Sequence, residues 1–493
     1  MIRLTLAEIA EIVGGRLYGA TGAEVVTGGV EFDSRALGTG DLFVAMPGER
    51  VDGHDFAAAA IAKGAVGVLA AREVLGPDGP VPSVVVTPLG PTGSRAMALA
   101  GDSDGSGAAV LAAMAAIAGH VVRVLTPAGL TVVGVTGSAG KTSTKDLIAH
   151  LLRPLGSTVA PPESFNSELG TPWTVLRATE ETRYLVLELS ARGVGHIAAA
   201  CRVTRPRIGA VLNVGRSHLG EFGSQQQIAV AKGELIEALP ETGVAILNAD
   251  DPLVAAMRER TRARVVAFGQ STAADVRAER VVLDEQARAG FELHTPQGST
   301  GVQLGLHGAH QVNNALAAAA IAIELGADLD SVAKGLSSAR PVSRRRMEVT
   351  TRQDGVTVVN DSYNASPEAV REALKTLATM GRSAKGRTWA VLGPMGELGE
   401  DSVAVHDEIG RLVVRLDISQ LVVVGEAARP IHQGASLEGS WGEESVLVPD
   451  VDAAVALLRA ELRPGDVVLV KAAKAARLWR IAEALLDPAG GVA

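Results

Sequence analysis

The chain has one cysteine, Cys201, in 493 residues. That excludes an intramolecular disulfide framework and suits a reducing compartment. Cys201 sits beside Arg202 with no nearby redox partner, so a small apolar packing role is expected. Aromatic residues are scarce as well. Trp 4, Tyr 3 and Phe 7 leave few platforms on which single-stranded bases could stack. Positive charge is not in excess: a net charge of −9 gives no basic field for a phosphate backbone, and nucleic acid is not an expected partner. The longest apolar stretch, Ala108 to Ala118, ends at Gly119-His120, short of the ~20 residues that cross a bilayer. Glu8 falls early, where a signal peptide needs an apolar core. A cytoplasmic protein without membrane insertion is expected.

What remains is a folded, globular composition, 47% hydrophobic and 20% charged. The length exceeds a single hydrophobic core and implies about two to four domains. Polar, glycine-rich Gly101-Asp102-Ser103-Asp104-Gly105-Ser106-Gly107 marks a first break, and Ser337-Ser338-Ala339-Arg340-Pro341 a second. Before the first, Leu6, Ile9, Ala10 and Val13 repeat at helical spacing and stop at Gly14-Gly15. Strand-like runs follow at Asp41 to Ala45 and Gly67 to Ala70. Beyond it, Thr131 to Val135, Tyr184 to Leu189, Ile208 to Leu212 and Val244 to Leu247 are short and apolar on both faces, the pattern of a buried parallel sheet. After the second break the alternation restarts at Val356–Asn360, Trp389–Leu392, Leu421–Gly425 and Asp466–Val470. The expectation is an α/β protein of three domains, at residues 1–104, 105–338 and 339–493. The first is small and mixed, the second a phosphate-loop parallel-sheet domain, the third Rossmann-like.

The middle domain opens with Gly134-Val135-Thr136-Gly137-Ser138-Ala139-Gly140-Lys141-Thr142-Ser143, between a strand and a helix striped by Leu147, Ile148, Leu151 and Leu152. In such a loop the glycines let backbone N–H groups face phosphates, a lysine neutralises the β/γ oxygens and a threonine can ligate Mg²⁺. Val135 stands at the first glycine position of the strict eight-residue pattern, but the placement of Lys-Thr favours nucleotide binding over a structural turn. Ligands of open parallel sheets sit at the carboxyl ends of the strands. Glu188 ends one strand, and another runs into Asn213-Val214-Gly215-Arg216-Ser217-His218, so an acid and an imidazole reach the edge that carries Lys141 and Thr142. Singly they read as a helix cap and a loop histidine. Together with the loop they read as metal ligands.

The order of motifs resembles the Mur ligases, ATP-dependent amide-forming enzymes of peptidoglycan precursor synthesis, along nearly the whole chain. After the loop come Asn166-Ser167-Glu168-Leu169-Gly170-Thr171-Pro172, Glu188-Leu189-Ser190, Asn213-Val214-Gly215 with His218, Ala231-Lys232-Gly233-Glu234, Leu247-Asn248-Ala249-Asp250-Asp251, and Gly308-Ala309-His310 with Asn314. Phe32-Asp33-Ser34-Arg35 and Asp52-Gly53-His54 resemble the uridine-nucleotide domain of the two later ligases. Asp361-Ser362-Tyr363-Asn364-Ala365-Ser366-Pro367 is close to the Asp-Ser-Tyr-Asn-Ala-Asn-Pro of the last. The resemblance implies UDP-MurNAc-tripeptide and D-Ala-D-Ala as substrates, ATP and two Mg²⁺ ions; a monomer is expected. The three domains would then serve the UDP-sugar peptide, ATP, and the ATP and D-Ala-D-Ala side. Departures are Ser167, Ser366, Pro394, Arg345-Arg346 in place of Gly-Arg, and Lys471-Ala472-Ala473-Lys474 in place of Lys-Gly-Ser-Arg.

Roles follow from the resemblance residue by residue. Gly137, Ser138, Ala139, Gly140, Lys141, Thr142 and Ser143 would cradle the phosphates. Thr142 with Glu188 would hold one Mg²⁺, and His218 with Lys232 a second. Lys232 as an ammonium cannot ligate a metal, and from the residues alone it reads as a solvated helix lysine. The resemblance implies its N6-carboxylation. Asn314 and Asn248 would contact adenine, with a helix cap the alternative for Asn314 and for His310. Arg346 would reach the phosphates or else belong to a solvated linker, and Asp361 would hold ribose. Ser34, Arg35, Asn166, Glu168, Tyr363, Asn364 and Lys471 would touch the other substrates. His54 and His406 read as satisfied structural histidines. Open alternatives are the preceding ligase, which adds the third peptide residue, a folate polyglutamylating enzyme, and a non-catalytic nucleotide-binding scaffold.

Overall fold

The computed structural model describes residues 1–48, 51–91, 99, 101–215, 219–383, 386–439 and 444–487. Near the start, Thr5 and Glu8 form a reciprocal capping box, Leu6, Ile9 and Ala10 turn inward, and Gly14 at φ 62° ends the helix Leu6–Val13. A five-stranded sheet follows in the order Arg16–Tyr18, Ser83–Val85, Gly67–Ala70, Leu42–Val44, Val30–Glu31, antiparallel only at its first pair.

The middle sheet has nine strands. Thr158–Val159, Tyr184–Glu188, Thr131–Thr136, Ile208–Val211, Val244–Asn248, Arg264–Gly269 and Val276–Leu283 run parallel in that order. Alternate residues of one strand enter opposite cores: Leu185 and Leu187 pack with Met114 and Leu235, Tyr184 and Val186 with Leu147 and Leu316. Two-faced burial is why the interiors of the central strands Tyr184–Glu188, Thr131–Thr136, Ile208–Val211 and Val244–Asn248 are apolar. The sheet then continues into Arg288–Thr295 and Gly298–His307, which pair antiparallel. The strands between 276 and 307 were not anticipated from the sequence.

The helix Ser106–Leu125 corrects the reading of the longest apolar stretch. It is 20 residues long and, by length and composition, long and apolar enough to cross a membrane. Its 18-residue apolar window is 67% buried inside the protein, and Met114, Ile117 and Val121 are fully enclosed. Each such side chain contributes ~1.5–3 kcal/mol relative to exposure. One apolar cluster runs from Ile2, Leu6 and Val84 through this helix to Leu187 and Leu235, so the first sheet and the middle sheet share a core.

The last sheet orders Glu348–Thr351, Thr357–Asn360, Val467–Lys471, Thr388–Leu392, Gln420–Val424 and Ser445–Val448, parallel except at its first pair. Its central strands end at Asn360 and Lys471.

Candidate functional site

The phosphate-loop helix is Lys141–Leu152, with Gly140 at φ 83° as its N-cap. A Cβ at Gly140 would collide with Asn314 Oδ1, so the loop turns on glycine and packs on Asn314. The N–H groups of Lys141, Thr142 and Ser143 open the helix and have no intrahelical acceptor. They form an electropositive concavity suited to phosphate. Ser138 and Ala139 serve the loop itself. The Ser138 N–H donates to Asn213 O (3.1 Å) and the Ala139 N–H to Asn213 Oδ1 (2.9 Å). Lys141 Nζ donates to Gly137 O at 2.7 Å. Burial lowers its pKa, with Glu188 opposing and Arg346 adding to the shift.

Thr142 is where the elements meet. Its hydroxyl donates to Glu188 Oε2 at 2.9 Å, and the other carboxylate oxygen accepts from Ser164 Oγ (2.9 Å) and Asn166 Nδ2 (2.6 Å). From the last domain, Arg346 Nη2 donates to Thr142 Oγ1 at 3.3 Å, and its guanidinium lies 4.2 Å from the centroid of the Tyr363 ring. Burial raises the Tyr363 pKa. Arg346 is therefore packed against Thr142 and Tyr363 and is not a solvated linker residue.

Lys232 is buried, at 5% exposure, which overturns the solvated reading taken from the residues alone. Burial holds its pKa well below the ordinary lysine value, and Lys141 adds to the effect. A signal was present in the sequence. Lys232 follows Ile228 by four residues and precedes Ile236 by four, so it falls on the apolar stripe of the helix Gln225–Glu237. His218 lies outside the described residues.

The remaining candidates divide. Asn248 bonds within the protein at both ends, donating to Leu212 O (2.8 Å) and accepting from Asp250 N–H (2.9 Å). Asn314 Nδ2 donates to Gln311 Oε1 at 2.9 Å. His310 occupies an N-cap position without a side-chain cap bond, and burial lowers its pKa. Asp361 accepts from Met347 N–H (3.1 Å) and from Lys471 Nζ (2.5 Å). Lys471, buried at 2% exposure, also donates to Asn364 O at 3.0 Å. Glu168 lies 3.7 Å from His196 Nδ1. Arg35 chelates Asp33 and projects into solvent, while Ser34 O accepts from Lys63. The neighbouring Phe32 packs edge-on against Trp173, which stacks on Phe165 beside Asn166. His54 accepts from Ala71 N–H (3.0 Å) and His406 from Met395 N–H (2.9 Å), so both are structural.

Family descriptions match three parts of the chain: "Mur ligase family, catalytic domain" at 27–95, "Mur ligase middle domain" at 135–322, and "Mur ligase, glutamate ligase domain" at 345–474. The UDP-N-acetylmuramoyl-tripeptide–D-alanyl-D-alanine ligase of Mycobacterium tuberculosis is 55% identical over 513 aligned positions, covering 100% of each chain. The chain belongs to the Mur ligase family. Among solved structures, the crystal structure of MurF from Acinetobacter baumannii superposes at a TM-score of 0.81, with 28% identity, covering 98% of this chain and 99% of the other. MurF ligase from Thermotoga maritima in complex with ADP gives 0.73 at 28% identity, covering 93% and 97%.

Within this Mur ligase the departures from the family pattern have structural accounts. Ser366 Oγ accepts from Ala369 N–H at 3.3 Å, a cap that serine supplies as well as asparagine. Ser167 Oγ accepts from Gly170 N–H at 3.2 Å. Pro394 O accepts from Ala473 N–H at 2.9 Å, a bond for which proline needs no donor of its own. Ala472 is accommodated because the residue facing it is Gly393, where a Cβ would come within 2.8 Å of the Ala472 Cβ. Arg345 sits at φ 61°, a left-handed conformation that explains glycine in the usual pair. Its guanidinium lies 4.4 Å from the Trp479 ring centroid and donates to Glu483 at 3.0 Å. Lys474 Nζ lies 5.5 Å from the Tyr363 ring centroid.

Two residues escaped the candidate list. Ser164 joins the Glu188 cluster, and Asn213 braces the loop. Asn213 was visible as part of a motif, but its partner lies 74 residues away in sequence.

Proposed function

We propose that this Mur ligase joins D-Ala-D-Ala to UDP-MurNAc-tripeptide at the expense of ATP, giving UDP-MurNAc-pentapeptide, ADP and phosphate. The observation that carries the reading is the meeting of Lys141, Thr142, Glu188 and Arg346 at one point, in a chain alignable end to end with a ligase of that name. A carboxylate is a poor electrophile. The tripeptide carboxylate attacks the γ-phosphorus of ATP and forms an acyl phosphate, and ADP leaves. The neutral amine of D-Ala-D-Ala then attacks the acyl carbon, and phosphate departs from the tetrahedral intermediate. Both steps bring anions together, so positioning and charge neutralisation carry the catalysis.

Lys141 and the first-turn N–H groups hold the β- and γ-phosphates, and Arg346 adds a cation from the last domain. The tight set of Thr142, Ser164 and Glu188 oxygens supports Mg²⁺ by donor chemistry. When bound, Mg²⁺ supplies charge neutralisation at the transferring phosphoryl group. Lys232, with its lowered pKa, is suited to N6-carboxylation, because only the neutral amine adds CO₂. The carbamate, with His218, would hold a second ion. Asp361 faces ribose, and Asn248 and Asn314 support the adenine side. Asn166, Glu168, Tyr363, Asn364 and Lys471 border the peptide substrates, and Ser34 and Arg35 the uridine nucleotide. A cytoplasmic monomer fits soluble, nucleotide-linked substrates.

The test is incubation with ATP, Mg²⁺, bicarbonate and UDP-MurNAc-tripeptide, with and without D-Ala-D-Ala. Phosphate release that requires the dipeptide, with a product heavier by one dipeptide less water, is expected. Release supported instead by a single amino acid would make it the preceding ligase. ATP binding without release for any amine would revive the scaffold.

A further inference from the structure

We infer that Asn213 is a positioning residue for the phosphate loop, tying that loop and the segment 212–215 into one rigid unit. The carboxamide grips the Ala139 peptide from both sides. Its Oδ1 accepts from Ala139 N–H at 2.9 Å, and its Nδ2 donates to Ala139 O at 3.1 Å. The Asn213 backbone carbonyl accepts from Ser138 N–H at 3.1 Å, and Ser138 Oγ in turn accepts from Gly215 N–H at 2.9 Å.

The segment making these contacts is itself fixed at each step. Asn248 Nδ2 donates to Leu212 O (2.8 Å), Asp251 Oδ2 accepts from Val214 N–H (2.8 Å), and Gln225 Nε2 donates to Val214 O (2.7 Å). The phosphate loop is thus hung on a frame built from three later stretches of chain. Its shape is set before nucleotide arrives, which lowers the ordering cost of binding. A side chain with a donor and an acceptor on one short stem is required, and asparagine provides both. The Asn213 side chain acts on the nucleotide only through Ala139.

This inference rests on the ATP-dependent reading above, and two full-length variants separate it from a packing role. Asn213→Asp keeps the volume and the acceptor but sets a carboxylate oxygen against Ala139 O. Asn213→Ala empties the position and lets water serve the Ala139 peptide. If positioning is the role, Asn213→Asp is the worse variant. Calorimetry with ATP and Mg²⁺ should show its Kd raised about tenfold, on the scale of one or two lost hydrogen bonds. The KM for ATP should rise in step, while UDP-MurNAc-tripeptide binding and Tm stay near wild type. A role in filling space gives the reverse order, with Asn213→Ala the worse variant and both ligands and Tm affected together; that order would overturn the inference. So would an Asn213→Asp protein that binds ATP as the wild type does. A wild-type protein that binds no ATP would sink the functional reading, and this one with it.

Discussion

Glu188 and the peptides of the phosphate loop are held by neutral donors and acceptors, whereas across the site Asp361 and Arg345 are locked in charge pairs. Glu188 is steadied by two hydroxyls and a carboxamide, and the loop by Asn213. Across the site, Asp361 pairs with buried Lys471, and Arg345 is clamped between Trp479 and Glu483. Neutral bracing leaves the charges of Lys141 and Glu188 available to an incoming anion and its metal. Charge pairing gives stiffness, but the paired groups have little charge left to offer. On the proposed function, the last domain delivers the Arg346 cation on an arm fixed at both ends. Arg345 and Met347 flank it with φ of 61° and 49°, and Met347 N–H is bonded to Asp361. On the proposed function, the middle domain performs the chemistry and the last domain presents an arm.

The contrast is broken most severely by removing a working charge from the middle domain. Lys141→Ala should lower kcat by about 10³-fold, the upper range for loss of one preorganised electrostatic group, without lowering Tm. Dipeptide-dependent phosphate release measures it. A loss below tenfold would mean that the loop lysine does not face the transferring phosphate.

Lys232→Ala is next, with an expected loss of about 10²-fold or more, partly restored by formate or acetate. No rescue at any concentration would exclude a carboxylate role. The pH dependence has a defined sign. Burial lowers the Lys232 pKa, so the neutral amine persists to lower pH than in an ordinary lysine. Labelling by ¹³C-bicarbonate should persist to lower pH than for an ordinary lysine and fall as the pH drops through that lowered pKa.

Much of this arrangement was legible in the sequence, for reasons that also mark the limit. Strands such as Tyr184–Glu188 were readable because burial on both faces makes the positions before the terminal Glu188 apolar. The strands Val276–Leu283 and Arg288–Thr295 were not. They alternate buried residues with half-exposed Arg277, Glu279, Glu292 and His294, and Gly290 sits within one of them. The loop was readable because its chemistry is local. Its brace was not, because Asn213 and Ala139 meet only after the sheet forms. Arg346 was placed by its position at the domain junction, and the left-handed residues beside it left no trace in composition.

Arg346→Lys sharpens the comparison from the other side. Lysine keeps the charge but loses the planar stack on Tyr363 and the directed bond to Thr142. A fall of about tenfold in kcat/KM for ATP is expected, with tripeptide binding unaffected. A near-normal Arg346→Lys enzyme would show that charge alone matters there, and the fixed arm would lose its purpose.

The smallest effect tests the arm's construction, through two substitutions of one residue. Arg345→Ala and Arg345→Gly both remove the contacts with Trp479 and Glu483. They differ in the backbone, because a left-handed conformation costs an L-residue ~1–2 kcal/mol that glycine does not bear. If φ of 61° is imposed by the surrounding fold, the glycine variant should be the more stable of the two by about 1 kcal/mol in urea unfolding. The usual Gly-Arg pair would then be the relaxed form of this arm, with the aromatic and acidic contacts offsetting the strain in this chain. Equal stability would mean that the arm rearranges once Arg345 is lost, and that its fixed shape depends on the Trp479 and Glu483 contacts and not on the backbone around it.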